Sequence, residues 1–295
     1  MRRVLITGGR GQLAYDLQRR WHERHPGDEL TALNHAELDV TSADAVSQGL
    51  QARRPGLVIN CAAYNLVDEA ESQPEKALLV NGIGARNVAL ACRAVDAALV
   101  HVSTDYVFSG GTKPHVEDEP LDPPNVYAVS KAAGEMLVRL TWARHFIVRS
   151  SGLYGVAGSS GKGGNFVETM LKLAGQGKPI RVVNDQVLTP TSTWALADQI
   201  ALLATTDAYG TYHATCQGEC SWFDFAAEIF REAGLKPKLE ATTSAERVTP
   251  ATRPRYSVLE NRNLGRLGID VMPHWKAALY VYLAERAAPT LGKLA

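Results

Sequence analysis

The 295-residue sequence predicts an α/β fold: a doubly wound parallel sheet followed by a smaller C-terminal unit. Three observations carry this expectation. Short apolar runs alternate with longer segments of helical spacing through the first half. The first apolar run ends in a glycine-rich turn that opens a helix. The second half, beginning with a Gly/Ser-rich stretch, loses the regular alternation.

In order, residues 3–7 (RVLIT) form a β-branched run that reads as the first strand. Residues 12–22 carry Leu13, Leu17 and Trp21 at helical spacing. Residues 30–33 read as a second strand and 43–53 as a helix with Ser42 as N-cap. The runs 57–61 (LVINC), 98–103 (ALVHVS) and 145–149 read as buried strands, separated by helices at 74–95 and 127–141. Crossovers between such parallel strands are right-handed. Beyond residue 150 follow a mobile loop at 155–165, a helix at 166–174 and a strand at 180–183. Helices at 194–204 and 222–233 and closing segments at 261–264 and 275–287 complete the chain. The domain boundary is expected near 150, with some later segments returning to the main sheet.

Composition narrows the class. Hydrophobic residues make up 45% and charged residues 21%, which excludes a disordered chain. Lys+Arg and Asp+Glu each number 31, so the basic excess of a nucleic-acid-binding protein is missing. No apolar stretch is long enough to span a membrane. The N-terminal apolar run stops at glycine after four residues, too short for a signal peptide. Four sparse cysteines (Cys61, Cys92, Cys216, Cys220) suit a reducing compartment, so a cytoplasmic protein is expected.

The turn Thr7-Gly8-Gly9-Arg10-Gly11-Gln12-Leu13-Ala14 follows the first strand directly. Gly8 suits a tight turn, Gly11 a close backbone approach to a diphosphate at the helix N-terminus, and Ala14 close helix–sheet packing. This pattern in this context points to a Rossmann-like dinucleotide site. The second strand ends Leu33-Asn34-His35 without the acid that would bind ribose hydroxyls and repel a 2′-phosphate. With Arg10 nearby, NADP has room. Asp39, next to Val40, is either an acceptor for the adenine amino group or a turn residue.

Tyr127 and Lys131 stand four residues apart on one helical face. A neighbouring ammonium lowers a phenol's pKa from its ordinary value of about 10, so that it exchanges protons near neutrality. Thr104, at the carboxyl end of a buried strand, is placed to hydrogen-bond a substrate carbonyl.

Together the glycine turn, Asn60-Cys-Ala-Ala-Tyr64, STDYVF at 103–108 and Asn125-Val-Tyr-Ala-Val-Ser-Lys131 resemble the extended short-chain dehydrogenase/reductases. Gly164-Asn165-Phe166-Val167, Asn184-Asp185-Gln186, Thr189-Pro190-Thr191, Gly210-Thr-Tyr-His213 and Arg253-Pro254-Arg255-Tyr256-Ser257 narrow this to the dTDP-4-dehydrorhamnose reductase family. The resemblance implies an NADPH- or NADH-dependent reduction at C4 of a dTDP-4-keto-6-deoxy sugar. It implies Tyr127 as proton donor, Lys131 as its partner and a ribose ligand, and Thr104 orienting the keto group. Gly8, Arg10, Gly11, Gln12, Leu13, Asp39, Val40, Ala62, Ala63 and Tyr64, with Tyr127 and Lys131, are then the cofactor-binding set. Asp105 and Tyr106 fall at the sugar end, and Asn165 and Arg253 near the nucleotide or its phosphates. Residues 1–150 become the cofactor domain and 151–295 mainly the substrate domain. The substrate partner is a dTDP-linked sugar, with neither nucleic acid nor membrane, in a monomer or homodimer. No metal site is assigned; the Mg²⁺ used by some family members stays open and unplaced.

One position departs from the family: Gly152, in Ser150-Ser151-Gly152-Leu153-Tyr154, stands where a Trp is usual. A sugar-stacking wall is then missing or supplied from elsewhere. Two other readings remain, a related nucleotide-sugar reductase or epimerase and a regulatory subunit like methionine adenosyltransferase β. His213, Cys216 and Cys220 lack the spacing of a zinc site.

Overall fold

The computed structural model describes residues 1–157 and 164–287; most of the stretch read as a mobile loop, 158–163, lies outside the described residues. The first half runs β1 (Arg3–Thr7), α1 (Gln12–Arg24), β2 (Glu29–Leu33), α2 (Ala43–Arg53), β3 (Leu57–Asn60), α3 (Val67–Ala70) and α4 (Pro74–Leu78). A π-helical turn (Leu79–Gly84) leads into α5 (Ala85–Ala94), then β4 (Ala98–Thr104), a 3-10 turn (Asp105–Val107), α6 (Val126–Thr141) and β5 (His145–Ser150). The second half runs β6 (Leu153–Tyr154), α7 (Phe166–Ala174), β7 (Ile180–Val183), β8 (Val187–Leu188), β9 (Thr191–Ser192) and α8 (Thr193–Leu203). It ends with β10 (Gly210–His213), β11 (Cys220–Ser221), α9 (Trp222–Glu232), β12 (Leu239–Thr242), α10 (Arg262–Arg266) and α11 (Trp275–Ala287).

The main sheet has the order β2-β1-β3-β4-β5-β10, and every pairing in it is parallel. Strand addition reverses direction between β1 and β3, and a crevice opens at their carboxyl ends, where doubly wound sheets bind ligands. Both faces are covered, which is why the strands read as near-continuous apolar runs. Val4, Ile6, Leu57, Ile59, Val100 and Phe146 pack with Leu17 and Trp21 of α1 and Leu196 and Ile200 of α8. The alternate residues Leu5, Val58, Leu99 and Ile147 pack against Val46, Leu50, Val88 and Val138 on the other face. This is the two-residue period of a strand, and each such buried aliphatic side chain contributes about 1.5–3 kcal/mol.

The second half adds its own core of Tyr154, Val167, Met170, Ile180, Phe225, Ile229 and Trp275. β12 pairs parallel with β7 there, and β10 joins the main sheet beside β5. The continuous helix expected over 74–95 is instead interrupted by the π-turn. Within this turn the Asn81 side chain points inward to three buried polar partners. The two-residue strands β6, β8, β9 and β11 are too short to leave a period in the sequence. No helix among the described residues is long and apolar enough to cross a membrane. Among them, no group of three or more His, Cys, Asp or Glu is placed to hold a metal ion.

Candidate active site

A cavity of about 630 Å³ lies over the carboxyl ends of β1 and β3. All twelve residues expected to bind the cofactor line it: Gly8, Arg10, Gly11, Gln12, Leu13, Asp39, Val40, Ala62, Ala63, Tyr64, Tyr127 and Lys131. Gly8 has φ +69, and a Cβ there would stand 2.8 Å from the Ala62 backbone nitrogen. A side chain at 8 would therefore push the 61–64 segment off the turn. Gly11 caps α1, whose N-terminus has neither a side-chain cap nor an acidic residue in its first turn. Its free N–H groups and dipole suit a diphosphate.

Tyr64 is pinned through its backbone, its N–H donating to Asn81 Oδ1 (2.8 Å) and its carbonyl accepting from Asn81 Nδ2 (2.9 Å). Asn81 also donates to Ser130 Oγ on α6 (2.8 Å), tying this wall to the helix that carries Tyr127. The sequence reading missed Asn81; its signal was an Asn followed by Gly82 and Gly84 within an apolar helical pattern. Asp39 lines the cavity, but its carboxylate accepts from the Thr41 backbone (2.9 Å) and hydroxyl (2.8 Å). Burial pushes this carboxyl up, the two Thr41 bonds pull it down, and the net shift is downward. Arg10 is exposed on the same wall as Asn34 and His35; the first acid after β2, Glu37, accepts from the Asn34 N–H (2.8 Å) and does not line the cavity.

Asn125 caps α6, accepting from the Ala128 N–H (2.8 Å), and so fixes where Tyr127 and Lys131 emerge. Lys131 is 3% exposed and its Nζ donates to the Val102 carbonyl (2.7 Å). Burial lowers its pKa to about 8. The lowering of the Tyr127 phenol by Lys131, expected from their spacing, is not found. Burial carries Tyr127 up to about 12, opposed by a hydrogen bond from Thr104, while the ammonium is turned to the Val102 carbonyl. Behind Lys131, the buried Glu135 is held by Arg149 (2.9 and 2.8 Å) and the Ser103 hydroxyl (2.6 Å).

Tyr127, Ser103 and Leu153 also line a second cavity of about 310 Å³. This one brings Thr104, Asp105, Tyr106 and Asn165 together with Gly152, Leu188 and Trp222. Asp105 is buried and accepts from Ser151 Oγ (2.8 Å). Asn165 uses its side chain within the protein, capping α7 through Glu168 N (3.0 Å) and donating to the Gly155 carbonyl (2.9 Å). Tyr106, Phe166, Gln186 and Trp222 continue into a third cavity of about 390 Å³. That space carries Lys178, Arg181, Arg247 and Arg253. Arg253 holds Asp68 through both terminal nitrogens (3.0 and 2.7 Å). The three spaces form one cleft with Tyr127 at the first junction.

Comparisons with known proteins decide the family. The model described as "RmlD substrate binding domain" matches residues 1–288. The chain is 43% identical to a dTDP-4-dehydrorhamnose reductase of Streptomyces griseus over 94% of this chain and 91% of that protein. It is 42% identical to the spore coat polysaccharide biosynthesis protein SpsK of Bacillus subtilis, covering 98% and 99%. A crystal structure of dTDP-4-dehydrorhamnose reductase from Bacillus anthracis in complex with NADP superposes with TM-score 0.91 at 40% identity, covering 96% and 99%. The chain belongs to the dTDP-4-dehydrorhamnose reductase family.

Within this reductase family the position of Gly152 now has a physical reading. It has φ +54, and a Cβ there would lie 2.7 Å from Leu188 Cδ1. Leu188 thus fills the space a side chain at 152 would enter, and the indole in this cavity comes from Trp222, with Phe166 beside it (ring centroids 4.5 Å). The sequence reading took Trp222 only as the start of a helix. A capping box of Ser221 and Asp224 fixes that start and thereby the indole's place. The basic residues Arg181 and Arg247 were also missed, because nothing in their local sequence marks them.

Proposed function

We propose that this NAD(P)H-dependent reductase converts dTDP-4-dehydrorhamnose, or a closely related dTDP-4-keto-6-deoxy sugar, into its 4-hydroxy product. The observation that carries the reading is the continuity of the cleft, with Tyr127 and Ser103 shared by the cofactor cavity and the sugar-sized cavity. Residues 1–150 hold the cofactor, and 151–295 supply most of the substrate end. A dinucleotide held with its diphosphate at the Gly8–Gly11 turn would supply hydride from its reduced nicotinamide. Tyr127 gives its phenolic proton to the carbonyl oxygen, where negative charge develops. Thr104 orients that oxygen, and Lys131 holds positive charge beneath it. Arg253, with Arg181, Arg247 and Lys178 along the same wall, meets the diphosphate. The aromatic pair Phe166–Trp222 offers a stacking surface.

Arg10 and the missing acid at the end of β2 favour NADPH at least as much as NADH. Steady-state oxidation of NADPH by dTDP-4-keto-6-deoxy-L-mannose tests both statements. Turnover that needs the dTDP sugar is expected, with kcat/KM for NADPH no worse than for NADH. A preference for NADH above about tenfold, or ~1.4 kcal/mol, contradicts the cofactor reading. Failure of this sugar with success of another 4-keto-6-deoxy sugar moves the substrate assignment to that sugar.

A further inference from the structure

Asp105 is a buried carboxyl, 3% exposed, beside the reacting groups, and the proton-transfer scheme above gives it no task. Its partners are three hydroxyls, Ser151 Oγ at 2.8 Å, Thr104 Oγ1 at 3.1 Å and Ser257, and its own backbone N–H. The other titratable groups facing it are the phenols of Tyr106 and Tyr127. Lys131 is engaged with the Val102 carbonyl and Arg253 with Asp68, and Lys178, Arg181 and Arg247 do not line the cavity that holds Asp105. Among the described residues, no salt bridge reaches Asp105.

Thr104 makes the arrangement directional. A hydroxyl has one proton and two acceptor positions. The Tyr106 N–H already occupies one acceptor position of Thr104 Oγ1 (3.2 Å). If Asp105 is ionised, the Thr104 proton goes to the carboxylate and is lost to the reaction. If Asp105 is protonated, its own O–H fills the second acceptor position across the same 3.1 Å contact, and the Thr104 proton is free to point at Tyr127.

We infer that Asp105 is a positioning residue whose protonated form turns the Thr104 hydroxyl toward Tyr127, so that Thr104 acts on the reacting oxygen through the phenol. The chain of donation runs Asp105 to Thr104 to Tyr127 to the carbonyl. No bond to hydrogen need break in it except the Tyr127 O–H. Burial, which raises the Asp105 carboxyl despite the three hydroxyls and its own backbone N–H, acts in the same direction. This inference rests on the proposed reductase reading of Tyr127 and Thr104.

Two measurements test it. Carboxyl-carbon NMR, with Asp105 assigned through Asp105→Asn, should show it titrating well above the ordinary aspartate value of about 3.9. The pH profile of kcat/KM should fall about tenfold per pH unit above that measured value in the wild type. Asp105→Asn, whose amide donates to Thr104 at every pH, should lack that limb. Titration at the ordinary value, or a limb that survives in Asp105→Asn, overturns the inference. If the wild type turns over no 4-keto sugar, the reductase reading falls. The state of Asp105 is then decided by the NMR titration alone, and an ionised carboxyl at neutral pH overturns the inference.

Discussion

The two ends of the cleft are built from different material. The cofactor end is mostly backbone and small residues: Gly8 and Gly11 at the turn, Ala62 and Ala63 opposite, and an uncapped helix terminus. The substrate end is a mesh of side chains: Asp105 held by hydroxyls, Asn165 bonded to Gly155 and reaching Tyr282, Arg253 locked to Asp68. A backbone site accepts any ligand with the right diphosphate geometry. A side-chain site discriminates, because each polar group must be matched. The difference suits a cofactor end that need match only a dinucleotide and a substrate end that selects its sugar.

The largest test of the comparison falls at the junction. Tyr127→Phe should lower kcat by roughly 10²–10⁴-fold, the size of a general-acid contribution. NADPH affinity, read by equilibrium binding, should hardly move. Near-normal turnover would shift the proton donor to Tyr106, whose ring lies 6.1 Å from that of Tyr127.

Gly8→Ala attacks the cofactor end alone. The residue must keep φ +69 and would press its Cβ on the Ala62 backbone. A left-handed conformation alone costs about 1–2 kcal/mol, so NADPH binding should weaken by about tenfold or more. Binding of a dTDP-sugar should persist. Equal loss of both ligands would mean that the two ends are not separable.

The smallest effect concerns the joint between the halves. Asp16 of α1 is 2% exposed and accepts a hydrogen bond from Thr193 at the start of α8. Burial pushes its carboxyl up to about 6 from 3.8, against the pull of Thr193. The folded state therefore binds this proton more tightly than the unfolded chain. Stability from this group is complete below pH ~4 and falls as pH rises through ~6. Asp16→Asn keeps an acceptor for Thr193 and removes the charge. It should raise Tm at pH 7 by about 2–4 °C, with the gain vanishing near pH 4. A gain that does not depend on pH would place its origin elsewhere.

The same contrast explains what could be read before the structure. The cofactor end lies in short local motifs following β1, β2, β3 and β4, and each expected residue there lines the cavity. Sequence spacing sufficed because a strand–turn–helix fixes its own geometry. The substrate end joins residues far apart in the chain, such as Arg253 with Asp68 across 185 positions and Asn165 with Tyr282 across 117. Arg181, Arg247 and Trp222 reach it only through tertiary packing, and no local pattern marks them. Asn81 was hidden for another reason: apolar periodicity reports a helix but not a π-turn within it. The pKa of Tyr127 was misjudged because spacing places Lys131 near the phenol and says nothing of burial or of the Val102 carbonyl.

The central claim is that hydride from one end of the cleft and the Tyr127 proton meet at one sugar carbonyl. The most direct measurement uses NADPH deuterated at the transferred position, with mass spectrometry and NMR of the dTDP-sugar product. Deuterium bound to C4 of the sugar in the wild type, with label transfer all but lost in Tyr127→Phe, is the predicted result. Oxidation of the cofactor without deuterium on the sugar, or labelling that survives undiminished in Tyr127→Phe, would contradict it.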